Sequence, residues 1–170
     1  DVTMSAVKTF DWVRVDSCKR AYQLYTGTQK PLSLVWQNQE AAQAVARSES
    51  DCFLFACIGY LTRHVNVKCL TTHDTVATFV PFTHGGLLRF RNNQAYTLKS
   101  AYPMHPEMEW ENSLGEKIIH FKGIFDTNGR SGHGEIIHRR PGPLTSEDRL
   151  LISLGWYLLV ISYLDMALIM

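Results

Sequence analysis

The chain is 170 residues long, 45% hydrophobic and 19% charged, with a formal net charge of +1. That length suits one domain, residues 1–170, able to bury roughly 70% of its unfolded surface. Aromatic content of 11% argues against disorder, and near-neutral charge without a long Lys/Arg run excludes nucleic acid as an expected partner.

The chain opens DVTMSAVKTF, with no initiator Met and no signal-peptide pattern, so the native product is expected to start earlier. A cytoplasmic protein, associated with membranes, is the expectation. From about residue 8 to residue 140 the sequence reads as short strands separated by turns. VKTFDWVRV comes first, and AYQLYT and PLSLVWQ then flank GTQK, a hairpin signal. AAQAVARS fits helix or strand. CFLFACIGYL is apolar on both faces, whereas HVNVKCL alternates, with Val65 and Val67 on one side and Asn66 and Lys68 on the other. TVATFVPF, LLRFRN and QAYTLKSA continue the series, with Gly85-Gly86 and Asn92-Asn93 as turns.

PEMEWENSLGEKIIHFKG carries its own register. Trp110 opposite Ile119 and Met108 opposite Phe121 collect the apolar residues on one face, with Glu107 facing Lys122 and Glu109 facing His120 on the other. A one-residue slip would mix the two faces. GHGEIIHRR is the last of about twelve antiparallel strands and stops at Pro141-Gly142-Pro143.

One helix follows, over about 145–170. Thr145 with Asp148 three residues on forms a capping-box-like start, and Glu147 and Asp148 suit the positive helix N-terminus. LLISLGWYLLVISYLDMALIM then has no polar face, so it must be buried in protein or in lipid. It would be about 30 Å long, matching a bilayer core or a small domain. A tail anchor would place His138, Arg139, Arg140 and Arg149 at the interface but must carry Asp165. A barrel of eleven or twelve strands leaves an axial space about one helix wide. The preferred reading is therefore a mainly β, closed barrel around a central hydrophobic C-terminal helix. Gly155, Ser153 and Ser162 are expected where strands pack close, and Asp165 near an open end or beside a hydrogen-bonding partner.

This layout, from about Phe10 to the end, resembles the Tubby C-terminal-like fold of Tubby domains, plant LURP-one-related proteins and phospholipid scramblases. The residues that carry the likeness are the Asn112-Ser113-Leu114-Gly115-Glu116 turn into KIIHFKG and the terminal apolar run. Asn112 stands where LURP-like turns often have Asp. The resemblance implies a membrane-associated, non-enzymatic binding module: Tubby domains bind phosphoinositides, and scramblases are linked to lipid movement and calcium. Neither the Tubby phosphoinositide pocket nor the scramblase calcium segment has a counterpart here, so no family site residue is carried over.

The candidate ligand residues come from the chain itself. Arg89, Arg91 and Lys99 share an outward face on neighbouring strands, and Arg139 and Arg140 add a second basic point. An anionic lipid headgroup, a membrane surface or a protein is the expected partner, held outside the barrel or at its rims. The seven histidines read as loop and surface residues. Glu107, Glu109 and Glu111 read as a solvated face, and THGG and TNGRSGHG as loops between strands. Cys18, Cys52, Cys57 and Cys69 lack metal spacing and read as buried reduced thiols, with Cys52 and Cys57 on opposite strand faces. No cofactor or metal is expected. An enzyme with a rim site on His84, His105 or His133 is the alternative, although no GxSxG or HExxH is present.

Overall fold

The computed structural model describes residues 7–16, 19–37, 42–59, 63–101, 105–125 and 132–165, with residues 163–165 described by backbone alone. The twelve strands are β1 Lys8–Arg14, β2 Ala21–Thr26, β3 Gln29–Trp36, β4 Gln43–Arg47, β5 Cys52–Ile58 and β6 His64–Cys69, followed by β7 Thr75–Phe82, β8 Gly85–Phe90, β9 Ala95–Ser100, β10 Glu107–Glu111, β11 Lys117–Phe125 and β12 Gly132–His138. One helix, α1 Ser146–Asp165, completes the described chain.

Each strand pairs antiparallel with the next, and β1 closes on β12 through Phe10↔Ile136 and Trp12↔Gly134. Such an up-and-down barrel has no edge strand left to pair. Alternation decides which side chains enter. Phe53 and Phe55 of β5, Val65 and Val67 of β6, and Phe79 of β7 point inward and are buried. AAQAVARS resolves as strand β4, with Ala44 and Ala46 inward beneath larger neighbours. The β10–β11 register is the one the apolar pattern requires: Met108↔Phe121, Trp110↔Ile119, Glu107↔Lys122 and Glu109↔His120. At its turn, Asn112 Oδ1 accepts from the amides of Leu114 and Glu116 at 3.0 and 2.9 Å. The amide side chain thus does the capping work of an aspartate.

α1 threads the barrel. Leu150, Leu151, Ile152, Leu154 and residues Trp156 to Ile161 are all essentially inaccessible. No helix among the described residues is long and apolar enough to cross a membrane. Trp156 stacks between Trp12 (ring centroids 6.3 Å) and Phe125 (5.9 Å), and Tyr157 stacks on Trp36 at 5.5 Å. Two glycines make the fit possible. A Cβ on Gly155 would lie 2.3 Å from the Phe121 ring, and one on Gly134 would lie 2.3 Å from the Trp156 ring. Any larger residue there overpacks a filled interior.

Ser153 solves its burial within the helix, its hydroxyl donating to Arg149 O at 2.7 Å. Ser162 is buried with no hydrogen bond among the described residues. Trp110 Nε1 donates to Leu151 O at 2.9 Å, tying the wall to the helix. The Asp165 side chain, Cys18 and residues 166–170 lie outside what the structure describes. Cys52 and Cys57 do fall on opposite strand faces, Cys57 against the core, but Cys52, Cys57 and Cys69 are half-buried rather than buried thiols.

Candidate functional site

Three regions hold the polar chemistry: a collar where α1 enters the barrel, a cleft on the wall of β9 to β11, and the outer wall of β5 to β8.

The collar starts from the helix cap. Thr145 N–H donates to Asp148 Oδ2 at 3.1 Å, and Asp148 N–H donates to Thr145 Oγ1 at 3.0 Å, a reciprocal capping box. Asp148 is buried, and Arg140 Nη1 reaches its Oδ1 at 3.3 Å. His138 Nε2 stands 3.3 Å from Oδ2, within ion-pair range but off the line of a hydrogen bond. Burial pushes the Asp148 carboxyl up, yet His138 and Thr145 outweigh it and bring the pKa down to about 2. Arg140 also lies over the Tyr96 ring and donates to Tyr96 Oη at 3.1 Å, and that hydroxyl donates to Glu147. Burial, then the neighbouring Asp148 charge, raise the Glu147 pKa. Arg149 donates to Asp51 Oδ2 (2.5 Å), Leu144 O (2.7 Å) and Ser50 Oγ (3.1 Å). A rim cleft of about 430 Å³ beside it is lined by Gln29, Lys30, Ser48, Glu49 and Arg149.

This collar corrects two expectations. His138 is not a surface histidine: it is fully buried, because β12 alternates and Gly134, Ile136 and His138 share the inward face. His133, on the opposite face, is exposed. And where the tail-anchor alternative sets His138, Arg140 and Arg149 at an interface, here they meet the carboxylates that seat the helix.

The wall cleft holds about 330 Å³ between Lys99, Glu107, Glu109, Glu111, Lys117 and His120. Its charges are largely matched. Lys99 meets Glu111 at 3.2 Å, and Glu109 Oε1 meets His120 at 3.2 Å and Arg139 at 3.5 Å. The glutamates are therefore not a solvated face: Glu111 is 8% exposed, where a bulge after Trp110 breaks the alternation.

The five expected ligand residues thus separate. Arg139 turns to Glu109 on the wall while Arg140 turns to Asp148 in the collar, so the second basic point is divided. Lys99 is held by Glu111. Arg89 and Lys99 face outward on β8 and β9 but stand at opposite ends of the pair, Arg89 beside Ala95 and Lys99 beside Gly85. Arg91 lies in the turn after β8, its amide donating to Val76 O at 3.2 Å. His84, His105 and His133 are all exposed, and none lines either cleft. Among the described residues no group of three or more His, Cys, Asp or Glu is placed to hold a metal ion.

What the wall adds is Lys68. It is exposed on β6, opposite Thr75 of β7, which brings it to within two strands of Arg91, about 10 Å. Lys68, Arg89 and Arg91 make no ion pair among the described residues. Between them lie Asn66 and Thr78, joined at 3.4 Å. Residues 52–101 hold five of the 17 Lys/Arg and one of the 16 Asp/Glu, so this half of the barrel is basic and the remainder acidic. That asymmetry was available in the sequence and points to the same wall. No family model, curated protein or solved structure matches the chain.

Proposed function

We propose that this is a non-enzymatic binding module of the Tubby C-terminal-like kind, which holds a phosphate-bearing lipid headgroup on its outer wall. The observation that carries the reading is the cluster of Lys68, Arg89 and Arg91: three exposed cations on one face, none matched by a carboxylate among the described residues. Guanidinium groups bind phosphate through paired, charge-assisted hydrogen bonds, and a lysine adds a point charge. The threaded helix supports an exterior site, since the axis has no space for a ligand. The twelve-strand meander with one buried helix is in keeping with the family resemblance.

Co-sedimentation with vesicles tests it. Binding is expected to vesicles of equal parts phosphatidylcholine and phosphatidylserine, to fall steeply with salt, and to be absent on phosphatidylcholine alone. The double variant Arg89→Glu and Arg91→Glu is expected to lose at least tenfold in affinity, whereas Lys99→Glu changes little. Unaltered binding by the double variant, or none by the wild type, sets the reading aside.

A further inference from the structure

The wall that carries the cations changes character along its length. Ile58 pairs with His64, and Val80 pairs with Leu87. Carried one residue past Val65↔Phe79, the β6–β7 register sets His64 beside Val80, which completes a cross-strand row of Ile58, His64, Val80 and Leu87. Phe82 follows on the same face of β7, opposite Gly85, which has no side chain to cover it. Ile58, Val80 and Phe82 are 43%, 54% and 49% exposed, an apolar patch left open to water. Arg89 is two residues along β8 from Leu87, about 7 Å away.

We infer that this apolar half inserts into the margin of an anionic bilayer while Lys68, Arg89 and Arg91 lie against the headgroups, so that the barrel docks on its side. The inference rests on the headgroup reading above and adds to it a hydrophobic anchor and an orientation. Charge complementarity selects the occupant. Strands β5 to β8 carry no Asp or Glu and the described turns between them only Asp74, so a second copy of the wall offers three cations one carboxylate, whereas an anionic membrane meets every cation. Exposed Val and Phe beside Lys and Arg is also the pattern that settles at the boundary between headgroups and acyl chains.

The test uses the same vesicles with two further variants. The double change Val80→Ser and Phe82→Ser is expected to weaken binding about tenfold or more and to remove the part that survives high salt. Phe82→Trp reports insertion directly, because Trp12, Trp36, Trp110 and Trp156 are buried and the added indole is the one brominated lipid can quench. Quenching on phosphatidylserine vesicles is the expected result. Wild-type affinity in the serine variant, or an unquenched indole in the vesicle-bound Phe82→Trp variant, overturns the anchor and leaves the headgroup reading standing. Vesicle binding lost only in the Arg89→Glu, Arg91→Glu variant has the same meaning. A wild type that ignores vesicles but forms a dimer dissolved by Val80→Ser and Phe82→Ser assigns the patch to a second copy and removes both readings.

Discussion

The first turn of α1 and its middle are held in the barrel by different physics. Through the middle, from Leu150 to Ile161, the helix is gripped by a sleeve of Trp12, Tyr22, Trp36, Phe55, Phe79 and Phe121. Such contacts are strong but weakly directional, and the hydrogen bonds from Trp110 Nε1 to Leu151 O and from Tyr157 Oη to Ala42 O add direction at single points. In the first turn, Asp148 is capped by Thr145 and meets His138 at the end of β12, and Arg149 is bonded at defined atoms to the turn before β5. The sleeve buries most of the apolar surface of the helix, and the collar concentrates the ionic contacts at its entrance.

The heaviest break in that division is Trp156→Ala. It empties the space between Trp12 and Phe125 and is expected to cost about 3–5 kcal/mol, read as a lowered urea midpoint. Because the collar remains, the folded fraction should keep its near-native far-UV circular dichroism. Asp148→Ala attacks the other side of the comparison. It removes the cap and leaves His138 buried beside an unmatched Arg140, at an expected cost of about 2–4 kcal/mol. Asp148→Asn, which keeps an oxygen for the Thr145 amide, should recover part of this in the same urea titration.

The gentlest probe is acid. Asp148 ionises at about 2 in the folded protein against 3.8 ordinarily, so the unfolded chain binds the proton more readily. Its contribution, about 2 kcal/mol, is complete above about pH 5 and lost as pH falls toward 2. Glu147, whose pKa is raised, works in the opposite sense near its own titration and blunts the slope. In thermal melts between about pH 5 and pH 2, Asp148→Asn should flatten the acid decline. An unchanged slope would mean the collar contributes little to stability.

These two regions were unequally legible. The sleeve could be anticipated from an apolar run with no polar face and enough strands to enclose it. The cap was equally visible, because Thr145 and Asp148 are local partners at fixed spacing. His138 was hidden by its neighbours. In GHGEIIHRR it looks like the start of a basic surface, and only the inward parity it shares with Gly134 and Ile136 places it under the helix. Arg139 and Arg140 look like one basic point, yet adjacent residues leave a strand on opposite sides. The burial of Glu111 depends on a bulge with no sequence signature of its own. Lys68 was read as outward from alternation, but its proximity to Arg91 requires the registers of two hairpins, β6–β7 and β7–β8, together.

The seam between β1 and β12 also governs the order of assembly. Lys8 Nζ donates to the carbonyl of Gly142, 134 residues later. Every other strand can zip onto the one just made, but β1, paired on one side with β2, must wait for almost the whole chain before its other edge meets β12. Until then the sheet is open, with two unpaired edges and a row of inward apolar residues that face no helix. Because contacts between ends so distant in sequence carry a large loop-closure cost, closure is expected to be the slow step of folding. The Pro141-Gly142-Pro143 bend joins the strand that closes the seam to the helix that fills the barrel, so the plug and the last stave are neighbours in sequence.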